Sequence, residues 1–172
     1  MSRTATDSSW VKKRMSEKLR MERIRDLDDP DVLALVAKSD KYLSSLYPAE
    51  SNHAEPLHVL IGEDSAFFAG YVGEQLAACG AVKLVADDTP YGEIKRVYVD
   101  EKHRGRRLAT AVMQHLEDHL SSIGVNVVRL EAGPMQPEAL GLYRKLGYID
   151  RGPFGSYRTD PLSVFMEKTL DE

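Results

Sequence analysis

The chain has one cysteine among its 172 residues. Cys79 cannot close an internal disulfide, so a disulfide-built scaffold is excluded. Its apolar neighbours Ala77, Ala78 and Ala81 mark a core thiol in a reducing compartment rather than a nucleophile. Long hydrophobic runs are missing too. None approaches the roughly 18 residues of a membrane span, and the N-terminus lacks the apolar segment of a secretory signal, so the expectation is a cytoplasmic protein with no membrane partner. Positive charge is not in excess: 23 Lys and Arg face 27 Asp and Glu, a net charge of -4. Grip on a phosphate backbone needs a broad positive surface, so nucleic acid is not expected as a partner. The phosphate motifs GxxxxGKS/T and GxGxxG are absent, which removes nucleotide hydrolases and dinucleotide enzymes. HExxH is absent as well. His115 and His119 stand four apart, but Leu116 follows His115, so surface histidines and no metal are expected.

What is present suffices for one domain with a core, since 42% of the residues are hydrophobic. Residues 1–20 read as a basic extension, Ser/Thr-rich at first and then helical, with Trp10, Val11, Met15 and Leu19 spaced among Lys12, Lys13, Arg14, Lys18 and Arg20. Such an arm packs on its own domain or on a second subunit, so a homodimer is allowed. From 21 to 170 the pattern reads as a single domain. Met21–Arg25 suggests a strand, and Asp29-Pro30 opens a helix with Val32, Leu33, Leu35, Val36 and Leu43 that ends near Pro48. Residues 47–53 are turn formers. Phe67–Val72, the turn Gly73-Glu74 and Gln75–Leu84 predict an antiparallel hairpin. A strand over Gly92–Val99 leads to a helix in which Leu108, Val112, Leu116, Leu120 and Ile123 share a face and Gly124 supplies a left-handed stop. The next strand, Val125–Ala132, returns parallel to 92–99 through a right-handed crossover. Gly133-Pro134 breaks it. Pro137 starts a second helix with Ala139, Leu142, Tyr143 and Leu146 on one face, Gly147 ends it, and Tyr148-Ile149 and Leu162–Thr169 supply closing strands. The expected class is α/β: a mostly antiparallel mixed sheet with one parallel pair, flanked by helices.

Between the strand 92–99 and its helix lies Lys102-His103-Arg104-Gly105-Arg106-Arg107-Leu108-Ala109. Helix N-termini carry partial positive charge and unpaired N–H groups, so three arginines there oppose the macrodipole unless an anion offsets them. The stretch resembles the coenzyme A loop of the GNAT superfamily of N-acetyltransferases, Gln/Arg-x-x-Gly-x-Gly/Ala. Gly105 matches, while Lys102 stands for Gln/Arg and Arg107 for the second small residue. Leu130-Glu131-Ala132-Gly133, with Gln136 to Tyr148, resembles the fifth strand and following helix of the superfamily. The tail, Gly152-Pro153-Phe154-Gly155 and Asp160 to Lys168, is similar to a general bacterial branch. The resemblance implies a GNAT fold over 21–170 with acetyl-CoA as cosubstrate. It also implies a coenzyme site built from Val97, Tyr98, Val99, Arg104, Gly105, Arg106, Arg107, Leu108, Ala109, Glu131 and Tyr143. Backbone amides near Val97 and Val99 would hold the pantetheine and polarise the carbonyl.

Acetyl transfer to nitrogen needs an uncharged amine, yet alkyl ammonium groups titrate near ~10.4, so a carboxylate must help remove the proton. The resemblance implies Glu93 as that base and Tyr143 as the acid that protonates the departing thiolate. Lys95, two residues on and on the same strand face, is set to pair with Glu93 and weaken it as a base. The apolar spacing around Tyr143 gives that residue a core role too. Arg96, Arg158 and His53 are candidates to meet a substrate carboxylate, with solvated charges the favoured reading. The expected function is acetylation of the primary amine of a small molecule, amino acids and other carboxylated amines included, by direct attack in a ternary complex. A non-catalytic acyl-CoA-binding sensor is the alternative, and an RNA-binding role the least favoured.

Overall fold

The structure, a computed structural model, describes residues 18–87 and 89–171. The basic extension lies outside the described residues up to position 17, and its end, Arg20, opens the first strand. The elements run β1 (Arg20–Ile24), α1 (Pro30–Leu46), a 3-10 turn (Ala49–Ser51), α2 (Leu57–Leu60), β2 (Ser65–Val72), β3 (Gln75–Val85), β4 (Tyr91–Val99), a second 3-10 turn (Glu101–His103), α3 (Leu108–Ser122), β5 (Val127–Ala132), α4 (Pro137–Lys145), β6 (Ile149–Arg151) and β7 (Val164–Thr169). They form a seven-stranded sheet in the order β1-β2-β3-β4-β5-β7-β6. Every pairing is antiparallel except β4 with β5.

Local chemistry sets the element ends where the sequence predicts them. The Asp29 carboxylate accepts from the Asp31 and Val32 amides at 2.9 and 3.3 Å, and Pro30 follows, so α1 starts with its exposed donors satisfied. The turn between β2 and β3 is the two residues Gly73-Glu74, with Gly73 at φ 59. Gly124, at φ 78, follows the cap of α3.

The sheet is covered on both faces. One core layer joins α3 and α4 to the sheet through Val112, Met113, Leu116 and Leu120 of α3, Leu140 and Tyr143 of α4, and Val128 and Leu130 of β5, and the other sets Val32, Leu35 and Val36 of α1 and Leu57 and Leu60 of α2 on Phe67, Ala69 and Ala81. Each fully buried aliphatic side chain contributes about 1.5–3 kcal/mol. Two glycines let α3 approach the strands. A Cβ on Gly80 would lie 2.7 Å from Val112 Cγ1, and one on Gly92 would lie 2.6 Å from Leu120 Cδ1.

Two expectations need correction. Ile123 is the cap of α3 and is exposed rather than part of its buried stripe, because the helix ends one residue earlier. His115 and His119 are half-buried rather than on the surface: their rings meet Phe68 edge-on, with centroids at 4.6 and 5.2 Å. Burial lowers the pKa of both. The short helix α2 was not foreseen, nor was the insertion of β7 between β5 and β6. Gly92→Ala is expected to destabilise the fold by about 1–3 kcal/mol, since Leu120 is fully buried and has no room to yield. Urea unfolding with an unchanged midpoint would show that α3 can move off the sheet.

Candidate active site

The parallel pair is short. Gly92, Glu93 and Ile94 of β4 face Val128, Arg129 and Leu130 of β5, and beyond Ile94 the two strands have no common ladder. On its other side β4 is irregular: Lys95 faces Ala81 and Tyr98 faces Cys79, so Gly80 alone stands opposite Arg96 and Val97. This is a bulge, and Arg96 takes a left-handed φ of 58. A side chain there costs about 1–2 kcal/mol. Arg96 is also what holds the bulge. Its Nε and Nη2 donate to the Glu55 carbonyl at 2.9 and 2.7 Å, and its Nη1 pairs with Asp40. Its own carbonyl accepts from the Cys79 thiol at 3.2 Å. The guanidinium is 4% exposed. Arg96 is therefore not the solvated charge favoured from the sequence. Cys79 is the core thiol expected, its pKa pushed up to about 12 by burial.

Where the strands part, a groove of about 590 Å³ opens. Of the residues expected at a coenzyme site, Val97, Tyr98, Val99, Arg104, Gly105, Arg107, Leu108, Ala109 and Tyr143 line it. Arg106 is exposed and does not line it, and Glu131 lies in the neighbouring cavity instead. Gly105 has φ 79 and Arg107 φ 58, and Arg107 caps α3 without any side-chain bond to the helix. The first amides of α3 are thus left to an outside acceptor. Arg107 occupies the motif position of a glycine and adopts the backbone a glycine would, so the loop keeps the shape of an anion cradle. Arg104 is fixed over the rings of Tyr42 and Tyr98, 5.6 and 5.9 Å from their centroids, and its Nε donates to the Val99 carbonyl at 3.3 Å.

A narrower cavity, of about 110 Å³, adjoins the groove and shares Val97, Tyr98, Ala139 and Tyr143 with it. Glu93, 5% exposed, lies in its wall. Its Oε1 accepts from the Tyr157 hydroxyl at 2.5 Å and from Lys95 Nζ at 3.3 Å. Lys95 also donates to the Tyr157 oxygen at 2.9 Å and to the His53 carbonyl at 3.2 Å. The pairing of Glu93 with Lys95 suggested by strand periodicity is therefore present, and Tyr157 joins it. Glu131 stands in the same wall with no Lys or Arg salt bridge among the described residues. Burial, and behind it the charges of Glu93 and Asp160, raises its pKa to about 7 against the opposing pull of Ser163 and Lys95. Tyr143, buried at the junction of groove and cavity, is pushed up to about 12 by burial and by the charge of Glu131. Sequence reasoning missed Tyr157, which sits in a turn-rich tail with no periodicity to direct it inward. Arg158 does not line the cavity.

A groove that runs from amide-lined loop to carboxylate-lined cavity suits a reaction in which a long, phosphorylated thioester carrier meets a small nucleophile. That is the work of an acyl-CoA-dependent transferase. Residues 21–148 match the Acetyltransferase (GNAT) family, and the chain belongs to that family. It is 40% identical over 139 residues to an "IAA acetyltransferase" of Azospirillum brasilense, covering 81% of this chain and 90% of the relative. It is 35% identical over 150 residues to the uncharacterized N-acetyltransferase YsnE of Bacillus subtilis, covering 86% and 98%. Among solved structures, a provisionally named acyl-CoA N-acyltransferase from Klebsiella pneumoniae superposes with a TM-score of 0.73 at 31% identity, over 90% of this chain and 99% of that one. The PaiA N-acetyltransferase of Thermoplasma acidophilum, solved with coenzyme A, shares the fold at 16% identity, with a TM-score of 0.67 over 89% and 99% of the two chains. The protein is an N-acetyltransferase of the GNAT type with acetyl-CoA as its cosubstrate.

Arg96→Gly separates the two demands on the bulge, because glycine accepts the left-handed backbone but cannot bind Glu55 and Asp40. The variant is expected to lower Tm and to raise KM for acetyl-CoA several-fold. An unchanged KM would show that the bulge keeps its shape without the guanidinium.

Proposed function

We propose that the enzyme acetylates the primary amine of a small molecule by direct attack within a ternary complex, with Glu131 as the base and Tyr143 as the acid. The observation that carries this reading is the adjacency of a free carboxylate and a phenol at the junction of groove and cavity. Glu93, expected as the base, has Oε1 already occupied by two donors, so its role becomes to hold Lys95 and Tyr157 in place. Glu131 has no Lys or Arg salt bridge among the described residues and only the Ser163 hydroxyl as a donor, and burial raises its pKa to about 7, which suits a base working at neutral pH.

The fit of acetyl-CoA rests on the cradle: left-handed Gly105 and Arg107 and the uncapped start of α3 offer N–H groups to its diphosphate. When bound, it supplies an activated acetyl thioester. The chain's own residues do the rest. Backbone amides of Val97 and Val99, on the part of β4 that has left β5, hold the pantetheine arm and polarise the carbonyl. Glu131 takes the proton of the incoming ammonium, the neutral nitrogen bonds to the acetyl carbon as the C–S bond breaks, Tyr143 gives its hydroxyl proton to the departing sulfur, and the second proton shed by the nitrogen restores the phenol. The charge of Glu131 discourages Tyr143 from ionising, so the phenol keeps its proton until it is needed.

Activity should rise with pH through about 7 as Glu131 loses its proton. Glu131→Gln should remove that limb and lower kcat by roughly 10²–10⁴-fold. The same raised pKa fixes the sign of a stability effect. Folding favours the protonated carboxyl, so its contribution is complete below the ordinary glutamate range and is lost as pH rises through about 7. Glu131→Gln should therefore be more stable than the parent at pH 8, by about 1–3 kcal/mol. Thiol release from acetyl-CoA with an amine panel, followed across pH, checks the first effect, and urea unfolding checks the second. A limb that survives in Glu131→Gln and vanishes in Glu93→Gln would return the base to Glu93. Tyr143→Phe should keep acetyl-CoA binding and lose kcat at least tenfold; full turnover would remove the acid from the scheme.

A further inference from the structure

We infer that the acceptor is an amine bearing no carboxylate, taken as a cation by a cavity whose two permanent cations are already paired with carboxylates of the chain. The inference rests on the acetyltransferase reading above and narrows its substrate.

Three basic side chains line the cavity: Lys95 and Arg96, whose permanent charges are each paired with a carboxylate of the chain, and His53, whose ring stands edge-on to Tyr157 with centroids at 5.1 Å. The three protons of Lys95 Nζ go to the His53 carbonyl, Glu93 Oε1 and the Tyr157 oxygen. Arg96 gives three of its five N–H groups to protein acceptors, Nε and Nη2 to the Glu55 carbonyl and Nη1 to Asp40, and the Asp40 carboxylate offsets its charge. Breaking either set would leave a buried charge short of partners, a larger penalty than the new contact would return. The acidic side of the wall is less committed. Glu93 uses a single oxygen for both of its bonds, and Glu131 has no salt bridge among the described residues. The neutral amides Asn52 and Gln136 accept bonds through their oxygens, from the Ala54 amide and the Tyr47 hydroxyl. Their NH₂ groups can meet a hydroxyl or a carbonyl but do not offset a full negative charge.

An α-carboxylate on the acceptor would sit within a few ångströms of the amine that Glu131 must reach, and so close to Glu131 and Glu93. At that range two carboxylates repel by enough to weaken binding roughly a hundredfold, even with generous protein screening. An ammonium meets the opposite field. Tyr42, Tyr47, Tyr98 and Tyr157 stand in the same wall and offer apolar surface to the stem of an amine. The cavity therefore selects compact monoamines over the amino acids that share their side chains, which revises the expectation that carboxylated amines are included.

The test uses matched pairs that differ only in the carboxylate: tyramine with tyrosine, phenethylamine with phenylalanine, isoamylamine with leucine. With full-length protein and acetyl-CoA, the amine of a pair is expected to exceed the amino acid in kcat/KM by about tenfold or more. Equal or better turnover of the amino acids would overturn the inference and leave the acetyltransferase reading intact. Calorimetry on the protein–coenzyme A complex gives a readout independent of turnover. Amines should bind and their amino acids should not, and Glu131→Gln should weaken the amine and bring the two affinities together. An affinity ratio unmoved by that substitution would also overturn the inference. Amine binding without thiol release would support the inference while removing the catalytic scheme. Coenzyme binding with neither binding nor acetylation of any pair member would remove both.

Discussion

The guanidinium of Arg96 is the tie on which the site depends. A strand paired on both sides has no backbone groups left for a ligand, so β4 must leave β5 while staying attached to β3. The bulge opposite Gly80 does this by adding one residue and turning the strand, at the expense of a left-handed arginine. The same side chain then binds the Glu55 carbonyl and Asp40, so the segment before α2 and the helix α1 are both fastened to the bulge. Strain at one backbone position is offset by charge-assisted bonds from the residue that bears it. A glycine would relieve the strain and lose the fastening.

This tie also explains the charge balance of the acceptor cavity. Lys95 and Arg96 are adjacent in a strand, so their side chains leave opposite faces of an ordinary ladder; the bulge allows both to reach the wall of one cavity. Each is then neutralised by an acidic or carbonyl partner that is not Glu131. Glu131, with no Lys or Arg salt bridge among the described residues, is left where β5 ends, close enough to Tyr143 to raise its pKa. Burial rather than a neighbouring charge is the main reason the pKa of Glu131 rises.

Much of the fold was legible because its signals are local. Asp29-Pro30, Gly73-Glu74, Gly124 and Pro137 each fix an element end through their own backbone chemistry, and the 3.6-residue period of Val112, Leu116 and Leu120 gives the buried face of α3. The left-handed loop between β4 and α3 was legible for the same reason, as a contiguous motif between a strand and a helix. The acceptor side was not. Tyr157, Lys95 and Glu93 form one hydrogen-bonded group across 64 positions, and the residues that decide the state of Glu131 come from β4, β5 and the tail. Long-range proximity of this kind leaves no period in the chain. His115 and His119 show the converse: their polar character suggested solvent, but the covering ring, Phe68, belongs to a distant strand.

Arg107 is the departure from the family pattern that most invites doubt about coenzyme binding, and the geometry weighs in its favour. The pattern asks for a small residue because the backbone must turn left-handed and let an anion approach its amide. Arg107 makes that turn, at φ 58, with a penalty of about 1–2 kcal/mol that glycine would avoid. Against this stands a permanent positive charge one residue before the N-terminus of α3, where the helix end already favours an anion. A hydrogen bond from a charged donor contributes about 1.5–3 kcal/mol, enough to match the strain, and it does so only when an anion is present. In the free protein the arginine opposes the helix macrodipole and strains the loop, and an anion held there, as the proposed coenzyme site requires, would offset that opposition. Under that proposal the departure from glycine favours the occupied loop over the empty one.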